Sequence, residues 1–120
     1  MKEIKAYIRH HTVNHVIEAL EQEGFNDMTL IDVKGITRGL PREEYHYSLE
    51  LAEKYMDVIK LEIVCGDNQA EKAVRIIERA AHTGRKGDGL IFVSPVEEVV
   101  RIRTGEKGEA ALRPGDQGAK

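Results

Sequence analysis

The chain has one cysteine, no tryptophan and only 5% aromatic residues among its 120. The lone Cys65 has no partner within the chain for a disulfide, and without a C-x-x-C pair the usual thiolates of structural zinc or an iron–sulfur cluster are missing. That economy suits a reducing compartment, and a cytoplasmic protein is expected. Long apolar runs are missing as well. Nothing approaches the roughly 20 residues of a bilayer crossing, and the opening MKEIKAYIRHH has no apolar leader segment, so direct membrane insertion is not expected. Nor is there an excess of positive charge: 18 Lys plus Arg against 21 Asp plus Glu leave a formal −3. A nucleic-acid partner that needs a global positive field is therefore not expected.

What is present, 41% hydrophobic and 32% charged residues over 120 positions, suffices for one thin aliphatic core and one domain. Residues 3–9 alternate, with Ile4, Ala6 and Ile8 on one side and polar residues on the other except Tyr7, which predicts a half-buried strand. From Thr12 to Gly24 the residues Val13, Val16, Ile17 and Leu20 recur at helical spacing, with Thr12 as N-cap and Gly24 as stop. Strands are predicted over 28–36, 58–65 and 90–93 and a second helix over 69–81.

The order β-α-β thus occurs twice, and two such units make an α+β, ferredoxin-like βαββαβ sandwich with an antiparallel sheet and both helices on one face. The other face is left bare, and oligomerisation would cover it. The domain is expected to span 1–112, with a long loop between strands 2 and 3 at about 37–55 and a flexible tail at 113–120. In the loop, Tyr45, Tyr47, Leu49 and Leu51 alternate, yet Tyr45, Leu49, Ala52 and Met56 also fit a helical stripe. Both periods fit, as in a segment ordered by a partner or packed on a neighbouring subunit.

Three segments favour anions. TGRKGDG, 83–89, has three glycines in seven residues, which lets backbone amides converge on phosphate oxygens; a Gly-rich helix stop followed by a turn is the alternative. In RIRTG, Arg101 and Arg103 would alternate on a strand and project to one face about 7 Å apart. They could fork onto a di- or triphosphate, or pair with Glu97 and Glu98 along a solvated edge. KGITRG, 34–39, offers two glycines and Arg38 where a strand opens into the loop. His10, His11 and His15 suggest a metal, because His11 and His15 stand at i, i+4, but no third ligand is placed beside them. A trimeric metal-binding or metal-tolerance protein is the alternative they leave open. No nucleophile has a base beside it and no carboxylate pair brackets a pocket, so an enzyme is not expected.

Together, VKGITRG, KLEIVC and HTGRKGDGLIFVSPVEEVVRIRTGEKG resemble the P-II nitrogen-regulatory signal proteins, from Met1 to about Leu112. The resemblance implies a homotrimer of ferredoxin-like subunits with the sheets inside and an adenine nucleotide (ATP, ADP or AMP, with magnesium a potential companion) in the cleft between subunits. By carry-over, the site would comprise Gly35, Ile36, Thr37 and Arg38; Thr29, Glu62, Ile63 and Val64; Gly87, Asp88, Gly89 and Leu90; and Arg101 and Arg103. The loop, with Tyr45, Tyr47, Leu49 and Leu51, would meet a target protein, an enzyme or a membrane transporter.

Departures from the family pattern narrow what is implied. Gly39 stands where glutamine is usual and Val58 where lysine is usual, which leaves 2-oxoglutarate outside what the resemblance carries over. Leu90 replaces a lysine that reaches the terminal phosphates, so ADP or AMP should compete well with ATP. Leu51 and Leu49 occupy the positions of the modified tyrosine and serine, so regulation by those modifications is not expected.

Overall fold

The computed structural model describes residues 1–35 and 56–112. Its elements run β1 (Lys2–Arg9), a 3-10 turn (His10–Thr12), α1 (Val13–Gln22), β2 (Thr29–Gly35), β3 (Met56–Cys65), α2 (Asp67–Ala81), β4 (Gly89–Pro95) and a final 3-10 turn (Gly108–Ala111). The sheet order is β2-β3-β1-β4, with every neighbouring pair antiparallel. This is the ferredoxin-like topology that the doubled β-α-β pattern implies. The expected loop 37–55 and tail 113–120 lie outside the described residues.

Alternation explains the layering. Ile4, Ala6 and Ile8 of β1 and Ile59, Leu61, Ile63 and Cys65 of β3 all point to one side. There they meet Val13, Val16 and Leu20 of α1 and Ala70, Ala73 and Ile77 of α2. The alanines keep α2 close to the sheet, and each fully buried Ile or Leu contributes roughly 1.5–3 kcal/mol by leaving water.

Helix α1 ends as its glycine predicts. Gly24, at φ 92°, donates its amide to the Glu21 carbonyl at 3.1 Å, and Phe25 donates to Leu20 at 3.0 Å. This is the Schellman pair of bonds, with Phe25 buried behind it. The start of α1 differs from expectation. Thr12 stands at the N-cap position but makes no side-chain cap bond: its buried hydroxyl donates backward to the Arg9 carbonyl at 3.0 Å, because residues 10–12 already coil into a 3-10 turn.

Among the described residues the other sheet face carries no helices. Its cross-strand rows run Ile31, Lys60, Tyr7, Leu90 and Thr29, Glu62, Lys5, Phe92. Leu90 and Phe92 remain 65% and 49% exposed. Tyr7, which broke the polar alternation in the sequence, packs edge-on against Phe92 with ring centroids 5.7 Å apart. Lys60 pairs with Glu62 at 2.9 Å, and that hydrogen bond holds the Lys60 ammonium pKa above its ordinary value.

After β4 the chain does not continue as the expected strand. An isolated bridge joins Val100 to Lys107, and between them the Arg101 amide donates to Glu106 and the Gly105 amide to Arg101, at 2.8 and 2.7 Å. Gly105 at φ 76° and the Thr104 hydroxyl, 3.1 Å from Glu106, make a turn here. Arg101 and Arg103 therefore sit on a turn and not on one face of a strand.

Candidate functional site

One half of the site is built where β1 ends and β4 begins. The Asp88 carboxylate turns back into its own loop, where it accepts from the Thr83 hydroxyl, from the Thr83 and Gly84 amides at 2.8 and 2.9 Å, and from Arg9 Nε at 3.1 Å. Arg9 Nη2 donates in turn to the Lys86 carbonyl. These donors, the Thr83 hydroxyl foremost, hold the Asp88 pKa well below the usual carboxylate range against partial desolvation. With its lone pairs taken, the carboxylate organises the loop and does not face outward.

Two glycines make this geometry available. Gly87 adopts φ 92° and Gly89 φ 114°. A Cβ on Gly89 would fall 1.7 Å from the Tyr7 carbonyl oxygen, so the pairing of β4 with β1 demands glycine there. Residues 86–87 form a turn that closes on Asp88, and among the described residues the amides of Lys86 and Gly87 make no hydrogen bond. Two consecutive N–H groups are left available to an anion. Leu90 follows on the open sheet face.

The other half lies at the opposite end of the sheet. Thr29, Glu62, Val64, Arg101 and Arg103 line a groove of about 690 Å³. Thr29 stands across from Glu62 in the β2–β3 register, and Arg101 is braced by donating from Nη2 to the Ala111 carbonyl at 2.6 Å. Arg103 is exposed on the same turn. Ile63 does not present its side chain here: it is 4% exposed and belongs to the core, leaving only its backbone for a ligand.

The expected site residues thus form two groups. The Gly-rich loop neighbours Ile8 and Arg9, with Gly35 at the same end, while Val64 pairs with Glu3 at the other. Arg9 stands six steps along the strand from Glu3, about 20 Å. A single copy therefore does not bring the arginine turn against the Gly-rich loop. Ile36, Thr37, Arg38, Tyr45, Tyr47, Leu49 and Leu51 lie outside the described residues.

Sequence reasoning passed over Arg9, which reads only as the polar side of a strand. Its role depends on the 79-residue separation from Asp88 that folding closes. His10 and His11 lie in the exposed 3-10 turn and His15 on the exposed side of α1. No group of three or more His, Cys, Asp or Glu side chains converges among the described residues, and no described helix is long and apolar enough to cross a membrane.

Comparison with known proteins agrees with this architecture. The family model described as nitrogen regulatory protein P-II matches residues 1–106. The nitrogen regulatory protein P-II of Azospirillum brasilense is 45% identical over 112 residues, 93% of this chain and 100% of its own length. Those of Mesorhizobium japonicum and Nostoc punctiforme are 43% and 42% identical over the same shares of each chain. These names describe regulators and not enzymes. With the match running through both halves of the candidate site, the chain belongs to the P-II family.

Proposed function

We propose that this protein is a noncatalytic, cytoplasmic regulator that binds adenine nucleotide between subunits of a homotrimer and passes the binding state to a target protein through the segment 37–55. The observation that carries the reading is the division of the site. The free amides of 86–87 and the arginine turn at 101–103 have complementary chemistry for phosphate, yet in one chain they lie toward opposite ends of β1, whose span from Glu3 to Arg9 is about 20 Å. A second copy placed against the open face would bring one copy's loop beside another's arginines. The exposed Leu90 and Phe92 support such an association.

In this reading, phosphates lie on the amides of the Gly-rich loop, Arg101 and Arg103 supply charge-assisted bonds, and Thr29, Glu62 and Val64 with the Ile63 backbone hold the base and ribose. Gly35 and residues 36–38 connect the occupied cleft to the loop, so a nucleotide that favours one loop conformation shifts target binding by linkage. Leu90 places an apolar side chain beside the phosphates. ADP and AMP should then compete well with ATP, and magnesium would contribute charge compensation that a lysine would otherwise supply. A membrane transporter is one target class for the segment 37–55.

Calorimetry with ATP, ADP and AMP, with and without magnesium, tests the reading. Arg103→Ala is expected to weaken binding by about tenfold or more, from the loss of one charge-assisted contact. Co-expressing a chain changed at Gly87→Val with one changed at Arg103→Ala should restore a fraction of full-affinity sites, since mixed trimers contain clefts with both halves intact. Absence of nucleotide binding to the wild type, or no restoration on mixing, would overturn it.

A further inference from the structure

The helix layer carries a groove that the nucleotide reading does not use. Between α1 and α2 lies a cleft of about 440 Å³, floored by Ala19 and Ile76 and edged by His15, Lys72, Arg75 and Arg79 with Glu23 as the one acidic residue of its lining. Lys72, Arg75, Ile76 and Arg79 recur at i, i+3, i+4 and i+7, so α2 presents its cations on one stripe, with His15 and Ala19 one turn apart on α1. In a chain with formal charge −3 this is a local inversion of sign.

The cations are only lightly engaged. Lys72 lies 3.1 Å from Glu23 and Arg75 lies 2.8 Å from Glu71, both exposed pairs of small worth that leave further donors unused. Arg79 and His15 make no hydrogen bond or ion pair among the described residues. From Lys72 to Arg79 the stripe covers about 10 Å of helix. That length matches carboxylates spaced along a peptide better than one compact phosphate, and the apolar floor asks for a side chain between them.

We propose that this groove docks an acidic amphipathic segment of a partner protein, with carboxylates on Arg75 and Arg79 and an apolar side chain against Ile76 and Ala19. The helices lie on the opposite side of the sheet from the open face, so the groove stays outward when copies associate through that face. The proposal rests on the regulatory reading for the existence of a protein partner and is independent of the nucleotide site.

The test is fluorescence anisotropy of the full chain with a labelled synthetic peptide bearing glutamate and leucine at helical spacing. Saturable, salt-sensitive binding is expected. It should fall by about tenfold or more in the double variant Arg75→Glu, Arg79→Glu, fall less in Ile76→Ala, and persist in Lys107→Glu. Unchanged thermal unfolding and an unchanged nucleotide-induced thermal shift in the double variant would show that it is folded with its cleft intact. Equal peptide binding by the double variant, no saturable binding by the wild type, equal binding of poly-glutamate, or a preference for phosphatidylserine vesicles over the peptide would each overturn the proposal. Groove-dependent peptide binding by a wild type that shows no nucleotide shift would uphold it while sinking the nucleotide reading.

Discussion

The two ends of the sheet each hold an arginine against a backbone carbonyl, Arg9 on Lys86 and Arg101 on Ala111, but the two ends are finished to different degrees. At the Gly-rich end, Asp88 gathers Thr83, Gly84 and Arg9 around one carboxylate, so the loop is pre-shaped within a single copy. At the groove end, Arg101 is braced while Arg103 projects from an exposed turn. A preorganised amide cradle spends little on ordering when an anion arrives, whereas an exposed guanidinium must be ordered on binding. In the function proposed above, the loop would be the finished half of the phosphate site and the arginine turn the half that orders on binding.

The strongest way to break this contrast is Gly89→Val. With Cβ 1.7 Å from the Tyr7 oxygen and φ at 114°, the β1–β4 pairing should fail at a cost on the order of 3 kcal/mol or more, read by urea unfolding. Arg9→Ala and Arg103→Ala come next. The first should lower both the melting temperature and nucleotide affinity, the second affinity alone. If both variants moved stability equally, the two ends would not differ as described.

Leu90→Lys sharpens the cradle end. One added charge-assisted contact should raise ATP affinity by about tenfold with a smaller gain for AMP, measured by calorimetry.

Acid should also separate the ends. The Asp88 pKa is depressed in the folded loop, so its stabilising contribution is fully present above the unfolded aspartate value of about 3.9 and is lost only as pH falls through the lower folded value. The Thr83 and Gly84 amides should therefore keep hydrogen-exchange protection through mild acid, and Asp88→Asn should diminish it already at neutral pH. The smallest effect is expected from Thr104→Ala. Its exposed bond to Glu106 should be worth no more than about 0.5 kcal/mol, whereas Thr83→Ala should lower the melting temperature visibly more.

Much of this was legible beforehand because it is local. Alternation in 3–9 and 58–65 and helical spacing in 13–20 encode which side chains are buried, and Gly24 sits where a left-handed residue must end α1. The glycines of 83–89 advertise a backbone that approaches something closely. Other features were hidden for equally physical reasons. Thr12 is a preferred residue type at the right position for a cap, yet a preceding 3-10 turn reverses its hydrogen bond. Arg101 and Arg103 alternate like strand residues, but Thr104 and Gly105 bend the chain between bridge partners Val100 and Lys107.

By itself, the sequence determined the layers: hydrophobic period selects a buried face for each element, and two β-α-β units with short links leave few ways to pair four strands. Only the tertiary structure decided that Asp88 turns inward onto Arg9, that Ile63 yields its side chain to the core, and that the cradle and the arginine turn stand at opposite ends of β1. Those outcomes depend on contacts between residues far apart in the chain, whose geometry is set by strand register, with Thr83 and Gly84 adding local bonds to Asp88.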